Sequence, residues 1–183
     1  MVQLIKACEN DFGRLENFYN FVIDNTETMP KCCRWIYGLH PREDMIKDYI
    51  KEGSMYYAED NGEILSTVAA TPYQGEDYRT VKWAEGLNEL ADDEVMTVHI
   101  LAVNPDYQKK GIAASTMEAV KLLAEKMGKK AIRLDALDTN YPAQRLYESL
   151  GYERRDVKNW YAANLGLADF IVYELVLTHI KEM

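Results

Sequence analysis

The chain has 183 residues, of which 48% are hydrophobic, and it carries a formal net charge of -9 at pH 7. This length favours a single domain over residues 1–183, with enough apolar side chains to bury a core. The acidic balance argues against nucleic acid or an anionic membrane as the main partner, because binding a phosphate surface requires a basic face.

The first half of the chain is predicted to alternate helices with short strands. The predicted elements, in order, are a strand at 3–8, a helix at 11–25, a helix at 41–53, and strands at 55–59 and 63–71. Apolar residues at helical spacing indicate the helices, and apolar runs of strand length indicate the strands. Asp60-Asn61-Gly62 separates the last two strands and favours a hairpin, because Asn-Gly readily adopts positive φ.

The second half begins after a polar, irregular stretch at 73–93, whose length inside a compact domain favours a functional role. The predicted elements that follow are a strand at 95–103, a helix at 111–128, a strand at 131–137, a helix at 140–150, and strands at 152–161 and 169–177. The apolar residues expected to form a buried stripe on the helix at 111–128 are Ala113, Met117, Val120, Ala124 and Met127.

This order of elements predicts an α/β (α+β) fold. Hairpins at the front and a helical crossover in the middle indicate a mixed, mainly antiparallel sheet of six to seven strands. Helices are expected on both faces of that sheet.

The segment from Leu101 to Ala113 suggests an anion site where a strand passes into a helix. Gly111 leaves the first backbone N–H groups of the helix open to a ligand. These groups have no partner within the helix and carry partial positive charge, which suits a phosphate. Lys109 and Lys110 add positive charge. The segment lacks the glycine spacing of dinucleotide-binding folds and P-loops, and a plain strand-to-helix connection is the alternative interpretation.

Two motifs follow one another in the second half of the chain. The first, beginning at Leu101, is Leu-Ala-Val-x-Pro-x-Tyr-Gln-x-x-Gly-Ile-Ala. The second, from Asn140 to Tyr152, contains Ala-x-x-Leu-Tyr-x-x-Leu-Gly-Tyr. Together they resemble the acyl-CoA pyrophosphate loop and a later helix of the GNAT acetyltransferase superfamily, and the order of elements matches as well. The resemblance implies a GNAT-like acyl-CoA N-acyltransferase fold, with acetyl-CoA as the acyl donor.

The resemblance also implies which residues bind the cofactor. Backbone N–H groups from Lys109 to Ala113 would hold the pyrophosphate, and Gln108 would shape the turn. The strand before it would pair its backbone with the pantetheine arm, as an added strand does. Asn140 is expected both to cap its helix and to contact the cofactor. The cofactor-binding residues are thus Leu101, Ala102, Val103, Gln108, Lys109, Lys110, Gly111, Ile112, Ala113 and Asn140.

Tyr147 occupies the position of the general acid in the resembled family. A tyrosine titrates at about 10 and a thiol at about 8.5, so full proton transfer to the leaving thiolate would be uphill. Tyr147 would therefore act mainly by hydrogen bonding in the transition state. The competing interpretation is that it only packs between helix and sheet.

His99 is the leading candidate for the general base. Strict alternation along the strand would put His99 on the same face as Leu101 and Val103, a face that carries the base in several members of the family. An ordinary histidine can accept a proton at neutral pH. The alternatives are a core histidine, a water-mediated relay through an acidic residue among 92–94, and no strict base.

The acceptor is predicted to be a primary amine of a small molecule or a peptide. The acidic segment 85–94 would favour a cationic acceptor, unless it is a solvated loop. Residues 35–40 either line the acceptor pocket or form an aromatic plug under a loop.

Two other functions fit parts of the sequence. A CoA-sensing or partner-binding protein would use the same phosphate cradle without turnover, although it would not need a hydroxyl at Tyr147. A nucleotide-binding α/β domain would bind a phosphate but no acyl group. A homodimer is compatible with either enzyme or binding protein.

Cysteine usage and the chain ends complete the sequence predictions. Cys8, Cys32 and Cys33 show no metal-binding or redox spacing, and their odd number disfavours a disulfide framework. We therefore expect no metal. The N-terminus lacks the apolar region of a signal peptide, and no apolar run is long enough to span a membrane, so a cytoplasmic protein is predicted.

Overall fold

The computed structural model describes residues 2–177. The helices in this range are α1 (Phe12–Asn25), α2 (Glu43–Lys51), α3 (Ile112–Lys126) and α4 (Tyr141–Ser149). The strands are β1 (Ile5–Lys6), β2 (Met55–Asp60), β3 (Glu63–Thr71), β4 (Val95–Val103), β5 (Ala131–Leu137), β6 (Glu153–Ala162) and β7 (Gly166–Val176). None of the described helices is long and apolar enough to cross a membrane.

The strands form one 7-stranded sheet in the order β1-β2-β3-β4-β5-β7-β6. Neighbouring strands of the described chain are antiparallel except for β4 and β5, which are parallel and are joined through α3. The mixed, mainly antiparallel sheet is therefore confirmed. Asn61 and Gly62 both have positive φ at the β2–β3 turn, as the predicted hairpin requires.

The predicted element boundaries differ most at the two edges of the sheet. β1 covers only Ile5–Lys6 of the predicted strand at 3–8, because it pairs with β2 alone through these two residues. At the other edge, β7 begins at Gly166 instead of residue 169, because the β6–β7 hairpin pairs up to Ala162 and Gly166.

The helices cover both faces of the sheet, as predicted. One buried core joins Leu15 and Tyr19 of α1 to Ile46 of α2. A second core, on the opposite face, joins Val120 of α3 to Tyr147 of α4. The central strands are therefore buried on both sides.

The predicted buried stripe of α3 is correct in its middle but not at its two ends, since Ala113 is only half-buried. Met117, Val120 and Ala124 are buried, but Met127 is 45% exposed. The helix ends at Lys126, and Met127 is its C-cap residue, so it leaves the face that the preceding turns share. Thr116 is also buried.

β4 carries a β-bulge in its second half. Two of its residues, Ile100 and Leu101, stand opposite the single Val68 of β3, and Ile100 has a φ of +43°. A bulge frees one backbone group from the ladder. Here the hydroxyl of Tyr19 donates a hydrogen bond of 2.9 Å to the Ile100 carbonyl, so the freed group has a partner inside the core.

The bulge reverses the alternation of side chains along β4. His99 stacks on α2, and Ile100 and Ala102 pack in the core formed with α1 and α2. Leu101 packs against the core on the opposite face. The prediction that His99 and Leu101 share a face is therefore wrong, because one extra residue inverts the direction of all that follow.

The parallel strands β4 and β5 separate halfway along their length. They pair only as far as Val98 and Leu134, although both strands continue beyond these residues. The backbone edges of 99–103 and 135–137 consequently face each other across a gap instead of pairing. This gap is an opening in the sheet.

The polar segment 73–94 packs over β5 and β7. Tyr78 and Trp83 lie in a buried cluster against β7. Arg133 of β5 is fully buried, pairs with Glu174 of β7 at 2.9 Å, and donates to the carbonyl of Leu87 at 2.8 Å. A buried charge is tolerated only when paired and hydrogen-bonded, so this network fixes the segment on the sheet.

Candidate active site

A cavity of about 700 Å³ lies at the gap between β4 and β5. Its walls come from the second halves of both strands, the turn before α3, α4, the chain between α1 and α2, α2 itself, and the β6–β7 turn. The sequence-predicted site residues that line it are His99, Leu101, Ala102, Val103, Gln108, Lys109, Gly111, Ile112, Ala113, Asn140 and Tyr147. The fold thus gathers two distant sequence motifs around one space.

At one end of the cavity the N-terminus of α3 presents free backbone donors. Within residues 2–177, no backbone N–H from Lys109 to Ala114 donates to another backbone group. Lys109 and Gly111 both have left-handed backbone, with φ of +61° and +79°. Successive N–H groups in such a turn form a concave anion site, which the helix dipole reinforces. This cradle fits a pyrophosphate.

The side chains around the cradle differ in where they point. Lys109 lines the cavity, whereas Lys110 does not and places its Nζ 4.7 Å from the ring centroid of Tyr107. The Gln108 amide donates to Thr26 Oγ1 at 3.3 Å, which ties the turn to the end of α1. Lys110 therefore offers only its backbone N–H to a ligand in the cavity.

Asn140 connects α4 to the opposite wall of the cavity. Its Oδ1 accepts a hydrogen bond of 3.3 Å from the Ala143 N–H, which makes it the N-cap that the sequence predicts. Its Nδ2 lies 3.2 Å from Cys33 Sγ in the chain between α1 and α2. Burial raises the pKa of the Cys33 thiol to about 11, so this cysteine stays protonated and unreactive.

Tyr147 lies at the middle of the cavity with a free hydroxyl. The residue is 6% exposed, and its ring packs 5.8 Å from those of Tyr152 and Tyr173. Among the described residues its hydroxyl has no hydrogen-bond partner, although the cavity reaches it. Burial, with a further contribution from the charge of Asp135, raises the pKa of Tyr147, so it is present as a protonated donor.

His99 lines the cavity but is a weak base. Its ring stacks on Tyr49 at 5.6 Å, and its Nε2 lies 3.5 Å from Thr71 Oγ1. Burial, and after it the charge of His40, lowers the pKa of His99 to about 4. The imidazole is therefore neutral at physiological pH and holds a proton poorly.

Asp135 is a cavity residue that sequence reasoning missed. It follows directly after Leu134, the last β5 residue paired with β4, just as His99 follows Val98 on β4. Burial raises the pKa of the Asp135 carboxyl, and the Tyr78 hydroxyl donates to it at 2.5 Å. The available signal was period-two alternation along 131–137, which puts Asp135 on the face opposite Ile132, Leu134 and Ala136.

The acidic residues predicted as a proton relay lie elsewhere. Asp92 forms an ion pair with Arg79, and Glu94 forms one with Lys130. Neither these residues nor any other of the segment 85–94 lines the cavity. The segment therefore places no acidic side chain in the cavity. Asp92 and Glu94 pair with surface cations instead, and the segment is part of the cover over β5 and β7.

A comparison with known protein families agrees with this arrangement. The model of the acetyltransferase (GNAT) family matches residues 16–152, which span α1 to the end of the second motif. The chain belongs to the GNAT acetyltransferase family.

One protein of similar sequence is a bacterial N-acetyltransferase. The [ribosomal protein bS18]-alanine N-acetyltransferase of Escherichia coli K12 is 31% identical over 96 residues, which are 52% of this chain and 64% of that protein. The chain thus matches less than two thirds of the length of this relative.

Solved structures share the fold at low sequence identity. A GNAT acetyltransferase from Streptococcus agalactiae has a TM-score of 0.73 at 16% identity, and covers 97% of this chain and 96% of its own. A putative acetyltransferase from Salmonella typhimurium, solved with acetyl-CoA, has a TM-score of 0.67 at 15% identity, with 97% and 95% covered. At these identities the likeness shows the GNAT fold, and the predicted fold class is confirmed.

In this GNAT chain the far end of the cavity is aromatic and apolar. Trp35 and His40 line it together with Met45 and Tyr49 of α2. The segment 35–40 therefore contributes wall residues and is not a plug. Burial lowers the pKa of His40 to about 4, so this imidazole is also neutral at physiological pH.

Proposed function

We propose that this chain is an N-acetyltransferase, which moves an acetyl group from acetyl-CoA to a primary amine by direct attack in a ternary complex. The observation that carries the proposal is a single continuous cavity. It joins a cradle of free N–H groups at the start of α3 to the free hydroxyl of Tyr147 and the buried carboxyl of Asp135. An anion site and two proton-transfer groups are what amide synthesis from a CoA thioester requires.

The donor would be held by backbone groups. The cradle from Lys109 to Ala114 binds the pyrophosphate, and the free edge of Leu101 to Val103 pairs with the pantetheine arm as an added strand does. A backbone N–H of that edge is also the natural donor to the developing oxyanion. A preorganised donor of this kind contributes roughly 3–4 kcal/mol to transition-state stabilisation.

Tyr147 is proposed as the general acid. It is a protonated donor with no competing partner among the described residues, so its hydrogen bond is available to the leaving sulfur. Because its pKa is raised, it stabilises the departing thiolate by hydrogen bonding before any full transfer of the proton.

Asp135, instead of His99, is proposed as the general base. A base works best when its pKa approaches the operating pH. Burial raises the pKa of Asp135 towards that range, whereas burial lowers the pKa of His99 to about 4 and away from it. The ionised Asp135 also attracts the ammonium form of the acceptor into the cavity.

The proposed step is balanced in atoms and charge. The acceptor, bound as its ammonium form, first releases one proton to water. The neutral amine nitrogen then forms the new bond to the acetyl carbon while the bond from that carbon to sulfur breaks. One amine proton passes to the Asp135 carboxylate, and the Tyr147 hydroxyl supplies a proton to the sulfur. The proton on Asp135 then passes to the Tyr147 oxygen, which leaves both residues in their starting states.

The lining of the cavity favours an acceptor with one amine and an apolar substituent. Near Trp35, Tyr49 and His99, the described lining offers aromatic and apolar groups and one acid, Asp135. A second ammonium group, as in a polyamine, would find no carboxylate there. The Escherichia coli relative is named for an alanine of a ribosomal protein, so a peptide beginning with alanine is included among the acceptors.

Release of free thiol from acetyl-CoA tests the function. The protein is assayed with an apolar monoamine, a polyamine, an aminoglycoside, free amino acids and an alanine-initiated peptide, and mass spectrometry confirms the acetylated amine. We expect the monoamine or the peptide to accelerate thiol release at least tenfold more than the polyamine does. The same assay without acceptor gives the hydrolysis background.

Two outcomes would contradict the proposal. If calorimetry shows tight CoA binding while no amine in the panel accelerates thiol release, the chain is a CoA-binding protein without turnover. If ATP binds as tightly as CoA, the cradle recognises phosphate alone, and the chain is a nucleotide-binding domain.

A further inference from the structure

The carboxyl of Asp135 receives a hydrogen bond from a distant part of the chain. Tyr78, in the segment that covers β5 and β7, donates its hydroxyl to Asp135 Oδ1 at 2.5 Å. Tyr78 is 5% exposed. Within residues 2–177 this is the only side-chain donor to Asp135.

The ring of Tyr78 is held by aromatic packing on two sides. It stacks on Trp83 with the ring centroids 5.8 Å apart and an angle of 10° between the planes, and it lies 5.7 Å from Trp160 of β6. The Trp83 indole N–H donates to the Tyr78 carbonyl at 3.0 Å. Tyr78 therefore has little freedom to turn its hydroxyl away from Asp135.

On its other side, Trp83 packs against the buried ion pair between β5 and β7. The Arg133 guanidinium lies 3.8 Å from the ring centroid of Trp83 and pairs with Glu174. Arg133 and Asp135 are two residues apart on β5 and so share a face of the sheet. The Arg133 side chain thus anchors the covering segment. The hydroxyl of Tyr78, in that segment, reaches Asp135, which is the next side chain on the same face of β5.

We propose that Tyr78 is the positioning residue of the catalytic carboxyl: its hydroxyl holds Asp135 towards the cavity and stabilises the ionised form that accepts the amine proton. This inference rests on the proposed function. It also assigns a role to the polar stretch at 73–93, which the sequence marks as too long to be an idle loop.

The groups around Asp135 show why this one hydrogen bond matters. Those that face it are Tyr78 and Asp77 of the covering segment, Tyr49 of α2, His99 of β4 and Tyr147 of α4. None of these five is a cation at neutral pH, and Arg133, which lies on the same face of β5, is paired with Glu174. Removing the Tyr78 hydroxyl would therefore raise the pKa of Asp135 further, because burial and Asp77 both act in that direction.

The test is the pH dependence of kcat/KM in Tyr78→Phe, which keeps the aromatic stack. We expect the rising limb of the profile to move up by about one pH unit, which is about a tenfold loss below the limb, with recovery to within about threefold at high pH. Trp83→Phe, which loosens the stack and keeps the hydroxyl, should move the limb less in the same direction. If neither variant moves the limb, the proposal is overturned.

Tyr57→Phe is the matched control. Its hydroxyl contacts another aspartate, Asp11, at 3.5 Å, and neither residue lines the cavity. The control should leave the profile unchanged. A shift of the same size in Tyr57→Phe would show that the effect is a general loss of stability, which also overturns the proposal.

Direct titration separates this proposal from the proposed function. The Asp135 carboxyl is followed by carbon-13 NMR without substrates and is assigned by its loss in Asp135→Asn. If its titration does not move in Tyr78→Phe, only the present inference is overturned. If the titration moves but the rate profile does not, Asp135 is not the base, and the inference falls together with that part of the proposed function.

Discussion

Burial acts in opposite directions on the two ionisable residues that follow the last paired positions of β4 and β5. It raises the pKa of Asp135 and lowers that of His99 to about 4, because each time it disfavours the charged form. Asp135 thereby becomes a stronger base than an ordinary carboxylate, and His99 becomes a weaker base than an ordinary imidazole. The residue type alone would have favoured the histidine.

Substitution of the two residues should separate their roles. Asp135→Asn is expected to lower kcat/KM by about 100-fold or more at neutral pH, on the usual scale of acid–base contributions. His99→Gln is expected to lower it by less than about fivefold and to keep the shape of the pH profile. The reverse order of effects would assign the base to His99.

The same aspartate substitution should not destabilise the protein. Because its pKa is raised on folding, the Asp135 carboxylate opposes folding at every pH above the folded-state pKa. Asp135→Asn removes that charge, so its free energy of unfolding at neutral pH should equal or exceed that of the wild type. Urea unfolding measures it, and a clear loss would show that the carboxylate has a structural function.

Tyr147 should affect the chemical step and not the binding of the donor. Tyr147→Phe is expected to lower kcat by about tenfold or more, with the KM for acetyl-CoA nearly unchanged. Tyr152→Phe is the control, since its buried hydroxyl has no partner among the described residues and its ring packs on Tyr147. Equal turnover in Tyr147→Phe and wild type would reject the acid role.

Among the secondary-structure elements, β4 determines where the cavity lies, because its pairing with β5 stops at Val98. The bulge at Ile100 and the separation of β4 from β5 occur at adjacent positions, and together they leave a free strand edge in the middle of a sheet. An unpaired edge is a site for strand addition. The proposed donor site is thus formed by the sheet itself, without an added loop.

The Tyr19 hydroxyl should be needed for this local structure. Tyr19→Phe leaves the Ile100 carbonyl buried without a donor, which should lower the free energy of unfolding by roughly 1–3 kcal/mol. A looser bulge should also raise the KM for acetyl-CoA several-fold. Tyr73→Phe, which removes a surface hydrogen bond to Glu52, is the control and should change neither quantity. Unchanged stability in Tyr19→Phe would contradict the proposed support of the bulge.

At the scale of the whole molecule, two neutral histidines link stability to pH. Burial lowers the pKa of both His40 and His99 to about 4, so the folded state takes up a proton less readily than the unfolded chain. Their contribution to stability is present above about pH 6.5 and is lost as the pH falls towards 4.

Acid should therefore weaken the acceptor end of the fold. Between about pH 7 and pH 5, each histidine is expected to remove on the order of 1–2 kcal/mol from the free energy of unfolding. Urea unfolding at both pH values should show a smaller loss in His99→Gln than in the wild type. An equal loss in the two proteins would show that His99 is not the group responsible.

Much of the fold follows from local patterns in the sequence. The positive φ of Asn61 and Gly62, the buried positions of α3 and the cap at Asn140 all depend on residues close in the chain. The bulge at Ile100 was not predictable, because it depends on the count of residues facing Val68 on another strand. The exposure of Met127 was not predicted, because the apolar pattern continues to Met127 whereas the helix ends at Lys126.

The candidate site divides in the same way. The cradle before α3 and the position of Tyr147 lie within continuous motifs, so local sequence was enough to predict both of them and the family. Three relations depend on tertiary packing: Asp135 lines the cavity, Tyr78 donates to Asp135, and the acidic segment does not line the cavity. These relations join strands and a covering segment far apart in the chain, and burial, which sets their protonation, exists only once the chain is packed.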